Sequence, residues 1–248
     1  MIENGNKVAE ITFLFWVMKI VATTLGETLG DYLAQTLNLG YAVGLAITTL
    51  FFICALSVQV LQQRYSAAIY WIVIIATTTL GTEISDFLDR SLHLGYSLGS
   101  GLLLIALLAT LGIWQATFKA ITVYPLYGQK KELFYWIAIL FSNSLGTAFG
   151  DFLSDILGLS YLTAAIITAS VILFIMLLHY TTRINATLLF WIAFVFTRPF
   201  GATFGDFLTK STSKGGLAIG TSTASIICVL LMITFVLISR QKKNQVSI

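Results

Sequence analysis

The chain reads as long apolar segments broken by short polar joints. Segments of about 20 or more mostly apolar residues run 12–37, 41–61, 67–92, 95–118, 133–157, 160–180, 186–210 and 216–239. About 20 apolar residues in a helix cross the roughly 30 Å hydrocarbon core of a bilayer. The pattern predicts an all-α polytopic membrane protein with eight transmembrane helices. The segments pair through the joints Asn38-Leu39-Gly40-Tyr41, His93-Leu94-Gly95-Tyr96, Gly158-Leu159-Ser160-Tyr161 and, departing from the others, Ser213-Lys214-Gly215-Gly216. Each pair is expected to be a helical hairpin. The repeats fall at about 12–61, 67–118, 133–180 and 186–239, all in one transmembrane domain, residues 1–248. A longer connection, Thr117 to Lys131, carries Pro125 and Gly128 and separates two halves of two repeats.

The polar positions inside the first segment of each pair repeat in register. Fifteen residues after Trp16, Trp71, Trp136 and Trp191 come Asp31, Asp86, Asp151 and Asp206. At 1.5 Å per residue the aspartates lie roughly 22 Å along the helix, past the midplane but within the apolar slab. An ionised side chain at a helix centre in lipid costs about 2.5–3.5 kcal/mol, so such groups are normally buried, paired and functional.

Helical periodicity of about 100° per residue gathers further polar groups beside each aspartate. They are Thr23, Thr24 and Glu27 in the first repeat, and Thr78, Thr79 and Glu83 in the second. The third has Asn143, Ser144 and Thr147; the fourth has Arg198 and Thr203, with Pro199 interrupting the pattern. Small residues four apart run alongside: Gly26 and Gly30, Gly81 and Ser85, Gly146 and Gly150, Gly201 and Gly205. This spacing lets helix backbones approach closely. The odd-numbered helices are therefore expected inside, polar stripes toward a shared centre, with the more uniformly apolar even helices facing lipid. Arg198 would be the internal counter-ion, for Asp206 or for an aspartate of another repeat.

Composition and charge sharpen this picture. The chain is 57% hydrophobic and 10% charged, against about 25% charged in soluble domains, which leaves no polar stretch for a separate domain. The net charge of +3 is scattered and is no signature of nucleic-acid binding. Lys7, Arg64, Lys119, Lys130, Lys131, Arg183, Arg240, Lys242 and Lys243 fall on the side of the termini, and Arg90, Lys210 and Lys214 on the other. The positive-inside rule then places both termini in the cytoplasm. The four repeats share one orientation and are related by rotation about the membrane normal, in a pseudo-fourfold or two-plus-two arrangement. Cys54 and Cys228 lie in apolar runs and are expected to be inert core residues. The first apolar run contains Lys19, Glu27 and Asp31 and no A-x-A-like cleavage site, so it is expected to be retained.

Several residues carry blander expectations. Lys19 is expected to snorkel to the interface, and the motif tryptophans to form an aromatic belt. Asp89, Asp155, His93 and His179 are expected to face water or headgroups. No nucleophile elbow, metalloprotease motif or Walker loop is present, so no enzymatic activity and no cofactor are expected. Carboxylates beside hydroxyls suit a hard cation such as Na⁺, Mg²⁺, Ca²⁺ or Mn²⁺, or a proton relay. The reading is a membrane transporter for a cation or a proton-coupled small solute. Glu27, Asp31, Glu83 and Asp86 form its main site and Asp151 and Asp206 the lesser half. The alternative is a structural or partner-binding membrane subunit whose Asp/Gly motifs hold the bundle together. The expected partners are the bilayer and a small cation, proton or solute; a homo-oligomer is compatible with both readings.

Four tandem units of two helices, each with a tryptophan and a G-x-x-x-G-D core, resemble a bacterial membrane-protein family of unknown function, often called uncharacterised membrane-anchored proteins. The resemblance rests on Trp16, Trp71, Trp136 and Trp191 and on Asp31, Asp86, Asp151 and Asp206, across about residues 12–240. Ser85 replaces the second glycine in repeat two, and repeat four lacks the Leu-Gly-Tyr joint. The resemblance implies a bacterial inner-membrane location and supplies no activity.

Overall fold

A computed structural model describes the backbone of residues 5–246 and the side chains of residues 5–240. The helices are α1 (Phe13–Asp31), α2 (Tyr41–Leu61), α3 (Ala67–Asp86), α4 (Gly95–Phe118), α5 (Gln129–Asp151), α6 (Tyr161–Thr181), α7 (Ala186–Thr209) and α8 (Thr221–Val246). All eight are long and apolar enough to cross a membrane. Local chemistry sets several starts: Thr12 caps α1 by accepting from Phe15 N at 3.2 Å, and Asn185 caps α7 by accepting from Thr187 N at 2.8 Å. These hydroxyl and amide oxygens satisfy N–H groups that the helix leaves without partners. Lys242 and Lys243 lie on α8, but their side chains are outside the described residues.

The odd helices form a closed inner ring, α1 on α3, α3 on α5, α5 on α7 and α7 on α1. The glycine edge of each helix seats the polar stripe of the next. Added methyl groups on Gly26 and Gly30 would collide with Thr78 and Thr82, and one on Gly81 with Asn143. One on Gly146 would meet Arg198, and those on Gly201 and Gly205 would meet Thr23 and Glu27. The register is the same at all four joints, so the odd helices run parallel. The even helices lie outside and leave most of their surface on the flanks. Each packs principally on the odd helix of the neighbouring repeat: α2 on α3, α4 on α5, α6 on α7 and α8 on α1. The two arms of a repeat are thus splayed, and the outer shell staples one repeat to the next.

In the first three repeats the helix widens into a π-helical turn immediately after the motif aspartate, at Tyr32–Thr36, Phe87–Ser91 and Phe152–Ile156. The wider i+5 bonds include Leu37 N to Tyr32 O at 2.8 Å and Leu92 N to Phe87 O at 2.9 Å. The chain then reverses through left-handed residues, Asn38, His93 and Gly158, a conformation Asn, His and above all Gly adopt at low cost. Repeat four instead stays α-helical to Thr209. Its longer loop folds back on the helix end, with Leu217 N donating to Phe207 O at 2.7 Å.

At the end where the termini lie, the ring is filled by aromatic rings. Trp71, Trp136 and Trp191 are buried and interlock with Phe15, Tyr70, Tyr135 and Phe190, the Tyr70 and Tyr135 hydroxyls meeting at 2.6 Å. This corrects the aromatic-belt expectation: these tryptophans point into the bundle because they stand on the inner face of inner helices. Beyond the aromatic layer Lys7 is likewise internal, pairing with Glu132 at 2.8 Å, which also accepts from Gln59 at 3.0 Å.

Candidate functional site

The four motif aspartates sit at the opposite end of the ring, all buried. Asp31 lies five residues before the end of its span, about 8 Å from the helix end at 1.5 Å per residue. The sequence spacing leaves about the same distance, some 8 Å of a roughly 30 Å slab, between the aspartate and this mouth of the ring. Two cations bridge the aspartates in pairs. Lys210 Nζ lies 2.5 Å from Asp31 Oδ2 and 3.3 Å from Asp206 Oδ1. Arg90 lies 3.0 Å from Asp86 Oδ1 and 3.2 Å from Asp151 Oδ2. Gln35 adds a short hydrogen bond to Asp31, and Tyr96 donates to Asp155 at 2.6 Å. Gln35, Arg90, Asp155 and Lys210 occupy the same place in the four repeats, one helical turn after the motif aspartate. Repeats two and four supply the cation and repeats one and three receive it, so the charge pattern is two-fold although the helix ring is four-fold.

Arg90 and Lys210 were counted from the sequence only as outer-side charges. Their i+4 spacing from Asp86 and Asp206, the spacing of neighbours on one helix face, is the sequence signal that marks them as partners of the aspartates. Burial by itself lowers the pKa of the Lys210 ammonium, but Asp206 and Asp31 outweigh burial and raise it above the ordinary lysine value.

One layer deeper, Arg198 pairs with Glu27. Its Nη2 donates to Glu27 Oε2 at 2.9 Å and makes a short bond to Thr82 Oγ1, while Nη1 donates to Thr23 O at 3.1 Å. The internal counter-ion thus serves repeat one, and Asp206 is served by Lys210. Deeper still, Lys19 is fully buried. Its Nζ donates to Asn143 Oδ1 at 2.9 Å and sits 3.9 Å from the centre of the Phe194 ring. Asn143 in turn donates to Thr77 at 3.1 Å. Lys19 therefore does not snorkel; α5 and α7 close over it. The centre holds two basic side chains, Lys19 and Arg198, where one was expected.

The expected grouping of Glu27, Asp31, Glu83 and Asp86 is rearranged. Ligand oxygens of Glu27, Asp31 and Asp206 lie within 4.8 Å of one another, while Asp86 joins Asp151 around Arg90. Glu83 turns outward to α2, where its carboxylate touches Gly44, and neither oxygen has a hydrogen-bond partner among the described residues. The reason is register: Glu27 follows its tryptophan by eleven residues and Glu83 by twelve, a shift of about 100° around the helix. Asp89, expected to face water, is buried against Gly99 of α4; Asp155 is exposed.

Two of the supporting hydroxyls serve the helix joints. Thr23 donates to Thr197 O at 3.2 Å and Thr78 to Ala22 O at 3.1 Å, each across a glycine contact. Thr79, Ser144 and Thr203 bond back to their own helices, and Thr24 Oγ1 has no partner among the described residues. Carboxylate oxygens such as those of Glu27, Asp31 and Asp206 are hard ligands that suit alkali or alkaline-earth cations, and the Lys210 ammonium already stands between two of them. The described hollows lie on the flanks. One of about 360 Å³ is lined by Ser100, Leu145, Phe149, Phe196 and Pro199 among others.

Fold and site together define a polytopic α-helical membrane protein of four two-helix repeats around a column of buried ion pairs. The chain belongs to the family described as Repeat of Unknown Function (DUF347), whose repeat matches residues 14–65, 69–119, 134–185 and 189–244. No curated protein and no solved structure matches it.

Proposed function

We propose that the protein is a membrane transporter for a cation or a proton-coupled small solute, with the buried carboxylates as its binding groups. One observation carries the reading: the oxygens of Glu27, Asp31 and Asp206 converge within 4.8 Å, and a tethered cation, Lys210, sits between two of the three. A site that holds an ammonium in this way has the charge and ligand type to hold a free cation once Lys210 swings toward the mouth, where its side chain is 23% exposed. Arg90 and the Asp86–Asp151 pair repeat the arrangement across the ring. Arg64, Lys119, Lys130, Lys131, Arg183 and Arg240 at the opposite end support cytoplasmic termini, and the proposed location is the bacterial inner membrane.

The second reading, a structural or partner-binding subunit, is favoured by the pairing of five of these carboxylates with Arg90, Arg198 or Lys210 and by the glycine seats. A cation and proton flux panel in proteoliposomes decides between them. Wild-type protein should carry flux that Asp31→Asn and Asp86→Asn abolish. Flux that both substitutions leave unchanged rules out the proposed site, and folded protein without flux for any cation, proton or solute tried favours the second reading.

A further inference from the structure

We propose that Glu83 is a proton-binding site, loaded against Gly44 of α2 and unloaded toward the aspartate mouth. The coupling role rests on the transport reading; the proton site itself does not.

Three observations carry it. First, Glu83 is fully buried, and neither carboxylate oxygen has a hydrogen-bond partner among the described residues. The other carboxylates of the inner helices at this end have cations: Glu27 has Arg198, Asp31 and Asp206 have Lys210, and Asp86 and Asp151 have Arg90. An isolated ionised carboxylate is too costly in an apolar interior, so the group neutralises instead. The ionisable groups of α1 at this depth, Glu27 and Asp31, are both acids and bring it no cation. Helix α2 brings no charged side chain, only the titratable Tyr41 and, further along, Cys54. On α3 itself stands Asp86, which is paired with Arg90, and the π-helical turn after it carries Arg90 and the buried Asp89. On α5 the paired Asp151 is the nearest acid, and α8 has no charged residue before Arg240. With no cation facing it among the described residues, the carboxyl at Glu83 carries a proton.

Second, packing does not call for an acid there. The equivalent positions in the other repeats are Thr28, Ala148 and Thr203. Thr28 takes a hydrogen bond from Ser225 of α8 at 2.8 Å, the same kind of outer-helix contact that Glu83 makes without a bond. Third, the residue has somewhere to go. The carboxyl rests where a methyl on Gly44 would lie, 2.6 Å from it. Glu83 is three residues below Asp86, about 4.5 Å along the axis. Rotation of its side chain carries the carboxyl from the apolar seat toward the mouth, where Arg90 is 35% exposed. There the proton passes to water, and the carboxylate left behind faces Arg90.

The test is infrared spectroscopy of the protein in lipid. Wild type should show the C=O stretch of a protonated carboxylic acid that is lost in Glu83→Gln, shifted in Gly44→Ala, and moved to lower frequency in D₂O as the acid proton exchanges. Spectra that neither substitution alters overturn the proposal, as does a Glu83-dependent band that never responds to D₂O. Flux separates the two claims. A Glu83→Gln protein that keeps flux and its response to a proton gradient overturns coupling through Glu83 and leaves transport standing. An exchanging band in a protein without flux leaves the proton site standing and overturns transport.

Discussion

Lys210 Nζ lies 2.5 Å from the Asp31 carboxylate, an ion pair that ties the last repeat to the first. Arg90 makes the corresponding link from repeat two to repeat three, at 3.2 Å from Asp151. Lys210→Met leaves Asp31 and Asp206 buried side by side without their shared cation. It should cost about 3 kcal/mol, the low end for removing one partner of a buried pair, because Lys210 keeps partial access to water. Thermal unfolding in detergent should show a lower melting temperature, with part of the loss recovered in Lys210→Met/Asp31→Asn. An unchanged midpoint would mean that the pair adds nothing.

The same pair gives a pH dependence with a definite sign. The pKa of Lys210 is raised in the folded protein by Asp206 and Asp31, above about 10.4 for an ordinary lysine. Its contribution is fully present below that unfolded value and declines as pH rises above it toward the folded one. Melting temperature should therefore fall more steeply above about pH 10.4 in wild type than in Lys210→Met. Parallel curves would contradict the assignment.

Arg198 and Glu27 separate structure from function. Arg198→Leu alone leaves Glu27 buried and unpaired, and should cost about 3–5 kcal/mol. Replacing both, Arg198→Leu with Glu27→Leu, removes two buried charges at once and should restore most of the stability, since apolar replacements of buried pairs are often neutral or better. Chemical unfolding of the two single variants and the double completes the cycle. Additive losses would show that the 2.9 Å contact is not an energetic pair.

The ring closure predicts a cross-link. Ser225 Oγ on α8 and Thr28 Oγ1 on α1 are 2.8 Å apart, close enough for sulfur atoms to bond. Thr28→Cys/Ser225→Cys, made after replacing Cys54 and Cys228, should form a disulfide under mild oxidation. After cleavage at a protease site engineered between repeats two and three, the halves should stay joined on a non-reducing gel. Halves that separate would place α8 elsewhere.

Much of this arrangement could be read from the residues. The eight spans, the Trp-to-Asp register and the glycine edges were legible because apolar length and helical spacing are local properties. What was lost depended on neighbours. Lys19 looks like an interfacial lysine until Asn143 and Phe194, from two other helices, close over it. The tryptophans look like a belt until the odd helices are known to form a ring. Glu27 and Glu83 look equivalent until their one-residue offset is turned into an angle. The π-helical turns after Asp31, Asp86 and Asp151 left no sequence signal that distinguishes them from α-helix. Arg90 and Lys210 did leave one, their i+4 spacing, but the partners in repeats three and one became visible only in the fold.

The central claim is that the buried carboxylates bind what crosses the membrane rather than merely holding the helices. The direct measurement is flux into proteoliposomes by wild type, Asp31→Asn and the Arg198→Leu/Glu27→Leu double variant, each first shown to be folded. The prediction is flux in wild type and loss in both variants, including the double variant whose stability is restored. Equal flux from all three would contradict it.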